Sequence, residues 1–146
     1  MRPVILVLTI LVGLISCSRR IDTDLIIAAG DGDVARVQYL IAHGANVNVN
    51  AHDDLTPLIA AVKSQKIEVV RVLLSARANV NQGDSNNNTP LLWAADRGDT
   101  EIAKLLILAG ADPETRSTIG QTPMSVALAK NRSEIYSLFL RSRRQN

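Results

Sequence analysis

The sequence predicts an all-α repeat protein, a solenoid of about four helix–turn–helix units. The main observation is a step of 33 residues, at which Thr56-Pro57, Thr89-Pro90 and Thr122-Pro123 follow one another. Four further series keep that step: Ala28, Ala61, Ala94 and Ala127; Leu25, Leu58, Leu91 and Met124; Leu40, Leu73, Leu106 and Phe139; and Ala45, Ala78 and Ala111. A period of this length shared by independent positions indicates stacked copies of one supersecondary unit.

Each recurring position has a physical role within a unit. Threonine before proline starts a helix, because its hydroxyl accepts an unpaired N–H and proline at the first helical position lacks one. The recurring alanine suits a close crossing of helices. In residues 68–74 and 101–107, apolar side chains at i, i+3 and i+4 predict the buried face of a second helix. Gly44 and Gly110 follow that helix, where a left-handed residue ends it.

These motifs resemble ankyrin repeats. The family pattern T-P-L-H-x-A-A appears as TPLIAAV at 56–62 and TPLLWAA at 89–95, and the pattern G-A-D/N-V-N appears as GANVN at 44–48. The resemblance covers about residues 22–141 and implies a curved array of helix pairs with hairpin fingers along one edge. The expected units are 22–53, 54–86, 87–119 and 120–146, of which the outer two look like caps.

The sequence departs from the family pattern at two kinds of position. The histidine of the motif is absent, so its usual hydrogen bonds must be replaced or lost; the residues in its place are Ile26, Ile59, Leu92 and Ser125. Arg77 stands where Gly44 and Gly110 stand in their units. Either Arg77 is left-handed, at a cost of roughly 1–2 kcal/mol, or the turn is altered.

The N-terminal segment resembles the signal peptide of a bacterial lipoprotein. Residues 4–15 carry no charge. This segment is too short for a membrane span, which takes about 20 apolar residues, but its length suits a signal peptide. Leu14-Ile15-Ser16-Cys17 resembles a lipobox, and Cys17 is the only cysteine. We therefore expect removal of residues 1–16, lipidation of Cys17, a short linker at 17–21 and an ankyrin-repeat domain at 22–146.

The resemblance to lipoproteins also gives an expected location. Ser18 rather than aspartate after the cysteine favours the outer membrane, with the domain facing the periplasm. Two acyl chains or more would anchor the protein stably, whereas one gives marginal binding. The alternative is ordinary cleavage near Ser16, which would leave a soluble periplasmic protein.

Neither the motifs nor the composition favours catalysis or nucleic-acid binding. The two histidines, His43 and His52, have no apparent nucleophile or oxyanion site near them, and no known catalytic, phosphate-binding or zinc motif is present. Residues 84–88, DSNNN, begin like a calcium loop but lack its later ligands and favour a polar finger. Because no such motif is present, we expect no enzyme activity, cofactor or metal. The formal net charge of +2, with acids and bases interspersed, argues against a nucleic-acid partner.

The family resemblance implies a protein partner, bound by the fingers and the inward face of the first helices. The finger candidates are Asn50, His52, Asp53, Leu55, Ser85, Asn86, Asn88, Arg116, Thr118, Ile119 and Gln121. The helix candidates are Lys63, Ser64, Trp93, Asp96 and Arg97. Trp93, the only tryptophan, has two open interpretations: an interface hot spot, or a filler of a gap in the core. We expect a monomer.

Two hypotheses specify what this protein does to its partner, and both rest on analogy. The protein could be an immunity protein that neutralises a toxic effector in the periplasm. Alternatively, it could assist or anchor an envelope enzyme or a stress-defence system. A cluster of arginines near the C-terminus favours a solvated cap over contact with anionic lipid.

Overall fold

The computed structural model describes residues 20–143, and within that range it contains eight α-helices and no strand. Helix α1 comprises residues 20–31 of the described chain. The others are α2 (Val34–Ala42), α3 (Pro57–Lys63), α4 (Ile67–Ser75), α5 (Pro90–Arg97), α6 (Thr100–Leu108), α7 (Pro123–Ala129) and α8 (Ser133–Ser142). A 3-10 turn, His52–Asp54, lies in the first long loop.

The helices form two layers. Helices α3, α5 and α7 pack side by side in an inner layer, while α2, α4, α6 and α8 pack in sequence as an outer layer. Helix α1 continues the inner layer, since a Cβ on Gly30 would lie 3.9 Å from the Cβ of Ala60 in α3. Each inner helix and the outer helix that follows it form one unit, which confirms the predicted solenoid.

Three inner helices begin as the Thr-Pro pairs predict. The hydroxyls of Thr56, Thr89 and Thr122 accept hydrogen bonds from the amides three residues later, and proline opens each helix. At the last of these, Ser125 Oγ also accepts from the Thr122 amide at 2.9 Å, completing a capping box. At the equivalent position of unit three, Leu92 is buried, so a side chain that packs replaces the family's histidine.

The core follows the recurring small and branched residues. Ala61 and Ala94 are fully buried where inner helices meet, which leaves no room for a larger side chain. In the outer layer, Val69, Val70 and Leu73 of α4 are buried, as the periodicity predicts. Buried side-chain nitrogen or oxygen atoms without a hydrogen bond are absent from the described part of the chain. The core there is therefore not destabilised by a buried polar group that lacks a partner.

Surface ion pairs repeat in register along the outer layer. Arg71 of α4 lies 2.7 Å from Glu101 of α6, and Lys104 of α6 lies 3.7 Å from Glu134 of α8. Both members of the second pair are 33 residues beyond those of the first. Because all four side chains are exposed, each pair contributes little stability but supports a single register of stacking.

The turns after α2, α4 and α6 each contain a left-handed residue. Gly44 and Gly110 adopt φ of 89° and 90° there. Arg77 occupies the same position with φ of 63°, so the turn keeps its conformation and the arginine carries the strain. The sequence alone had left open an altered turn, and the structure excludes that alternative.

Polar side chains join successive units just beyond these turns. Asn48 Oδ1 accepts a hydrogen bond from the Asn79 amide at 2.7 Å, and Asn81 Oδ1 accepts from the Asp112 amide at 3.0 Å. In the first unit, Asp22 Oδ1 accepts in the same way from the backbone of the following loop. These bonds satisfy loop amides and fix the spacing between units.

Helix α1 begins inside the segment expected as a linker. Residues 20 and 21, which we had assigned to a linker, are helical, and Ile21 packs against the core. The expected signal peptide at 1–16 and the expected lipidation site Cys17 lie outside the described residues. Between residues 20 and 143, no helix is both long and apolar enough to cross a membrane.

Candidate functional site

Three long loops project between the units and stack on one another as fingers. We name them finger 1 (residues 43–56), finger 2 (76–89) and finger 3 (109–122). The Ser85 amide donates to the Asp53 carbonyl at 3.0 Å, and the Thr118 amide donates to the Asn86 carbonyl at 2.9 Å. Each bond therefore joins a finger to the next at the same register, and the three fingers form one continuous surface.

Asp84 organises finger 2 from within. Its Oδ1 accepts hydrogen bonds from the amides of Asn86 at 3.0 Å and Asn88 at 2.9 Å. Its Oδ2 accepts from Trp93 Nε1 at 3.1 Å. The stretch that begins like a calcium loop thus uses its first carboxylate to hold its own backbone, and no group of three or more His, Cys, Asp or Glu that could hold a metal occurs among residues 20–143.

Trp93 connects the core to the finger surface. Its side chain is partly buried and packs against the hydrophobic core. The Lys63 Nζ lies 4.3 Å from the centroid of its ring, a cation–π contact. The indole is therefore held by a carboxylate at its edge and by an ammonium over its face. Trp93 fills space in the core and also borders the surface, and its role as an interface hot spot stays a prediction.

A groove opens between Trp93 and finger 3, and we call it the Trp93 groove. Its volume is about 300 Å³. The side chains that line it are Asn86, Asn88, Leu92, Trp93, Asp96, Thr118, Ile119 and Gln121. Ile119 is 77% exposed and presents its apolar side chain beside Trp93. An apolar floor with a rim of amides and one carboxylate suits one side chain of a protein partner.

A second groove lies between α1 and α3, and we call it the Ile27 groove. Its volume is about 430 Å³. Its lining consists of Ile26, Ile27, Gly30, Asp31, Leu55, Ala60, Lys63 and Ser64. Lys63 connects this groove to the other, since its ammonium extends over the ring of Trp93 in the next unit. The two grooves thus belong to one face.

One ion pair crosses the inner face. Lys130 Nζ lies 2.7 Å from Asp96 Oδ1, which joins units three and four across the face. Arg97, at the end of α5, is exposed, and no ion pair of it is seen among the described residues. The face therefore presents mixed rather than single-sign charge, which favours a protein over a polyanion.

The structure brings together most of the residues predicted for partner binding. Ten of the sixteen line the two grooves. The other six, on finger tips or beyond the groove, are Asn50, His52, Asp53, Ser85, Arg97 and Arg116. Asn50 Nδ2 is engaged by Asp54 Oδ1 at 2.7 Å, so it shapes finger 1. Binding through these sixteen residues stays a prediction.

Sequence reasoning missed several groove or finger residues, among them Ile26, Ile27, Asp84 and Leu92. Ile27 shares the register position of Trp93, and that shared position was a signal that could have identified it. Asp84 was recognised only as part of a polar finger. Its bond to Trp93 depends on how the finger folds back, and no spacing rule gives that.

Comparisons with known proteins agree with this architecture. A family model described as ankyrin repeats, in three copies, matches residues 9–84, 25–117 and 76–146. No curated protein matches the chain. The family is a non-enzymatic scaffold for protein–protein interaction. Since the matches span more than half of the chain, this protein belongs to the ankyrin-repeat family and is a protein–protein interaction module.

Proposed function

We propose that this protein is a lipid-anchored interaction module of the bacterial envelope, which binds one protein partner through its fingers and inner face. The main support for the binding proposal is the Trp93 groove. It combines a held indole, an exposed Ile119 and a polar rim, the composition typical of interface hot spots. The groove is pre-formed, since Asp84 fixes Trp93 and the finger bonds fix Thr118, and a pre-formed site loses less entropy on binding.

The proposed tether rests on the sequence. The uncharged segment at 4–15 followed by Leu14-Ile15-Ser16-Cys17 supports cleavage before Cys17 and lipidation of its thiol. Such an anchor would hold the ankyrin array beside a membrane in the periplasm. Tethering would raise the effective concentration of the array for a partner at the same membrane.

The partner is tested by copurification of the full chain from envelope extract through a C-terminal tag. The amount of partner that copurifies with the Trp93→Ala, Arg97→Ala double variant should fall about tenfold or more, which is the effect of losing one hot-spot residue. Leu108→Ala is the matched control, because Leu108 is 85% exposed in the outer layer and should keep the partner. The identity of that partner would distinguish an immunity role from an accessory role.

If the control loses the partner and the double variant keeps it, the binding face is wrong. Since Trp93→Ala could also disturb the core, Arg97→Ala and Ile119→Ser are made singly, as both side chains are exposed. These variants should stay folded by circular dichroism while they weaken the interaction.

The tether is tested by labelling with a fatty acid in growing cells. The wild-type chain should take up label and fractionate with membranes, and Cys17→Ala should do neither. Label that persists in Cys17→Ala would exclude this anchor and leave the binding proposal standing, since the two readouts are independent.

A further inference from the structure

A recurring contact joins the ends of neighbouring inner helices. It links a residue near the end of one inner helix to the residue 34 positions later, in the next unit. A Cβ on Gly30 would lie 3.9 Å from Ser64 Oγ, and Asp96 Oδ1 lies 2.7 Å from Lys130 Nζ. Units one and two thus meet here through uncharged residues, whereas units three and four meet through an acid and a base.

Units two and three bring two cations to the same contact. The register pairs Lys63, in the last turn of α3, with Arg97, in the last turn of α5. The position of Trp93 supports this pairing, because Lys63 Nζ lies 4.3 Å from its ring centroid and Arg97 follows it by one helical turn on the same face. Among residues 20–143, neither cation has an ion pair. We call these two residues the cation pair.

Stacking of the units does not require two cations at this contact. Units three and four place an acid and a base there, as Asp96 and Lys130. Lys63 and Arg97 repel each other, and the array tolerates them because each ends a helix, where positive charge is favoured. A carboxylate at either position would complete an ion pair within the chain. The sequence instead leaves both cations open to a carboxylate from outside.

The surroundings of the cation pair favour one carboxylate over a polyanion. Asp31 and Asp96 occupy the corresponding register positions in units one and three, so acidic groups lie on both sides of the pair. They would repel an extended run of phosphates. Lys63 lines the Ile27 groove, and Asp96, next to Arg97 in the chain, lines the Trp93 groove. The cation pair therefore lies between two grooves that contain apolar side chains.

We propose that Lys63 and Arg97 together bind one carboxylate of the protein partner, an aspartate or glutamate flanked on both sides by apolar residues. The flanking side chains enter the Ile27 groove and the Trp93 groove. The planar guanidinium can donate two parallel hydrogen bonds to the carboxylate, while the ammonium acts as a point charge. This inference rests on the proposed binding of a partner by the inner face and specifies the chemistry of the segment that binds.

The experiment places a photoreactive amino acid at position 119 of the full chain and measures the adduct formed in living cells. Arg97→Asp should lower the adduct about tenfold or more, because it removes the bidentate donor and gives Lys63 a carboxylate within the chain. Arg97→Lys should retain more of the adduct than Arg97→Asp, since it keeps the charge. Thermal unfolding followed by circular dichroism should give Arg97→Asp an unchanged midpoint, which separates lost binding from lost folding.

Arg141→Asp is the matched control for the change in net charge. Arg141 is exposed in α8 of the outer layer, and no ion pair of it is seen in the described chain. This variant should leave the adduct unchanged. An equal fall in both variants would mean that the charge of the whole protein, and not the cation pair, governs binding, and it would overturn the proposal.

The partner itself supplies the second measurement. Mass spectrometry of the adduct should identify a segment with an aspartate or glutamate between apolar residues. Replacing that acid by lysine should restore the adduct with Arg97→Asp. An undiminished adduct in Arg97→Asp, or a lipid in place of a protein, would overturn the cation pair. The undiminished protein adduct would leave the proposed function standing, whereas no adduct from position 119 in an otherwise wild-type chain would remove both.

Discussion

Trp93 Nε1 donates a hydrogen bond of 3.1 Å to Asp84 Oδ2, and this bond joins helix α5 to finger 2. The same carboxylate accepts two amide hydrogen bonds within the finger. The position of the indole and the shape of the finger are thus set by one side chain. A surface made from loops is in this way held in place by a helix of the core.

Replacing Asp84 should loosen both elements together. In Asp84→Ala, two finger amides and the indole lose their acceptor, and we expect a loss of about 1–3 kcal/mol in the free energy of unfolding. Since Trp93 is the only tryptophan, its emission should also shift to longer wavelength as water reaches the ring. Denaturant titration and a fluorescence spectrum measure the two effects.

Asp112→Ala is the matched control for that change. Asp112 also accepts the amide two residues later, at 2.9 Å, but makes no contact with the indole in the described structure. It should cost stability and leave the emission of Trp93 unchanged. An equal spectral shift in both variants would mean that finger disorder in general, and not the Asp84 bond, sets the environment of Trp93.

Arg77→Gly should stabilise the protein. Arg77 adopts φ of 63°, which costs roughly 1–2 kcal/mol for a residue with a Cβ, while glycine costs about 0.5–1 kcal/mol more entropy on folding. The net gain should be about 0.5–1 kcal/mol in the free energy of unfolding. The opposite exchange, Gly110→Arg, should destabilise through the backbone, since nothing lies within 4 Å of an added Cβ. A loss of stability in Arg77→Gly would contradict the assigned strain.

Helix α4 lacks a side-chain cap that its neighbours have. Asp33 and Asp99 accept amide hydrogen bonds at the starts of α2 and α6, whereas Lys66 makes none at the start of α4. Lys66→Asp should therefore raise the free energy of unfolding by about 0.5–2 kcal/mol. Lys66→Ala separates this gain from the loss of the lysine stem, which lies over Gly32. If the alanine variant gains as much as the aspartate variant, capping is not the cause.

The fold could be predicted from the sequence because a solenoid repeats one supersecondary unit. Thr89 and Ala94 recur every 33 residues, and each position is explained by a cap or a close packing contact within one unit. The site followed only in part. Ile27 lines a groove because α3 packs beside α1, and Asp84 meets Trp93 because finger 2 folds back over α5. Both facts depend on the assembled array and not on a local pattern.

The proposed face also predicts which surface changes reduce partner binding. Ile119→Ser removes a 77% exposed apolar side chain at the Trp93 groove, and Leu108→Ser removes an 85% exposed one in the outer layer. We expect the first to weaken partner binding about tenfold and the second to have no effect. Titration of the copurified partner against each variant measures the difference, and similar affinities for both variants would place the partner elsewhere.

The central claim is that a protein partner occupies the Trp93 groove in cells, and site-specific photo-crosslinking tests it most directly. A photoreactive amino acid is placed at position 119 in one full-length variant and at position 108 in another, and both are irradiated in living cells. The account predicts a discrete adduct with one protein from position 119 and none from position 108. An adduct from position 108 with none from position 119 would contradict it.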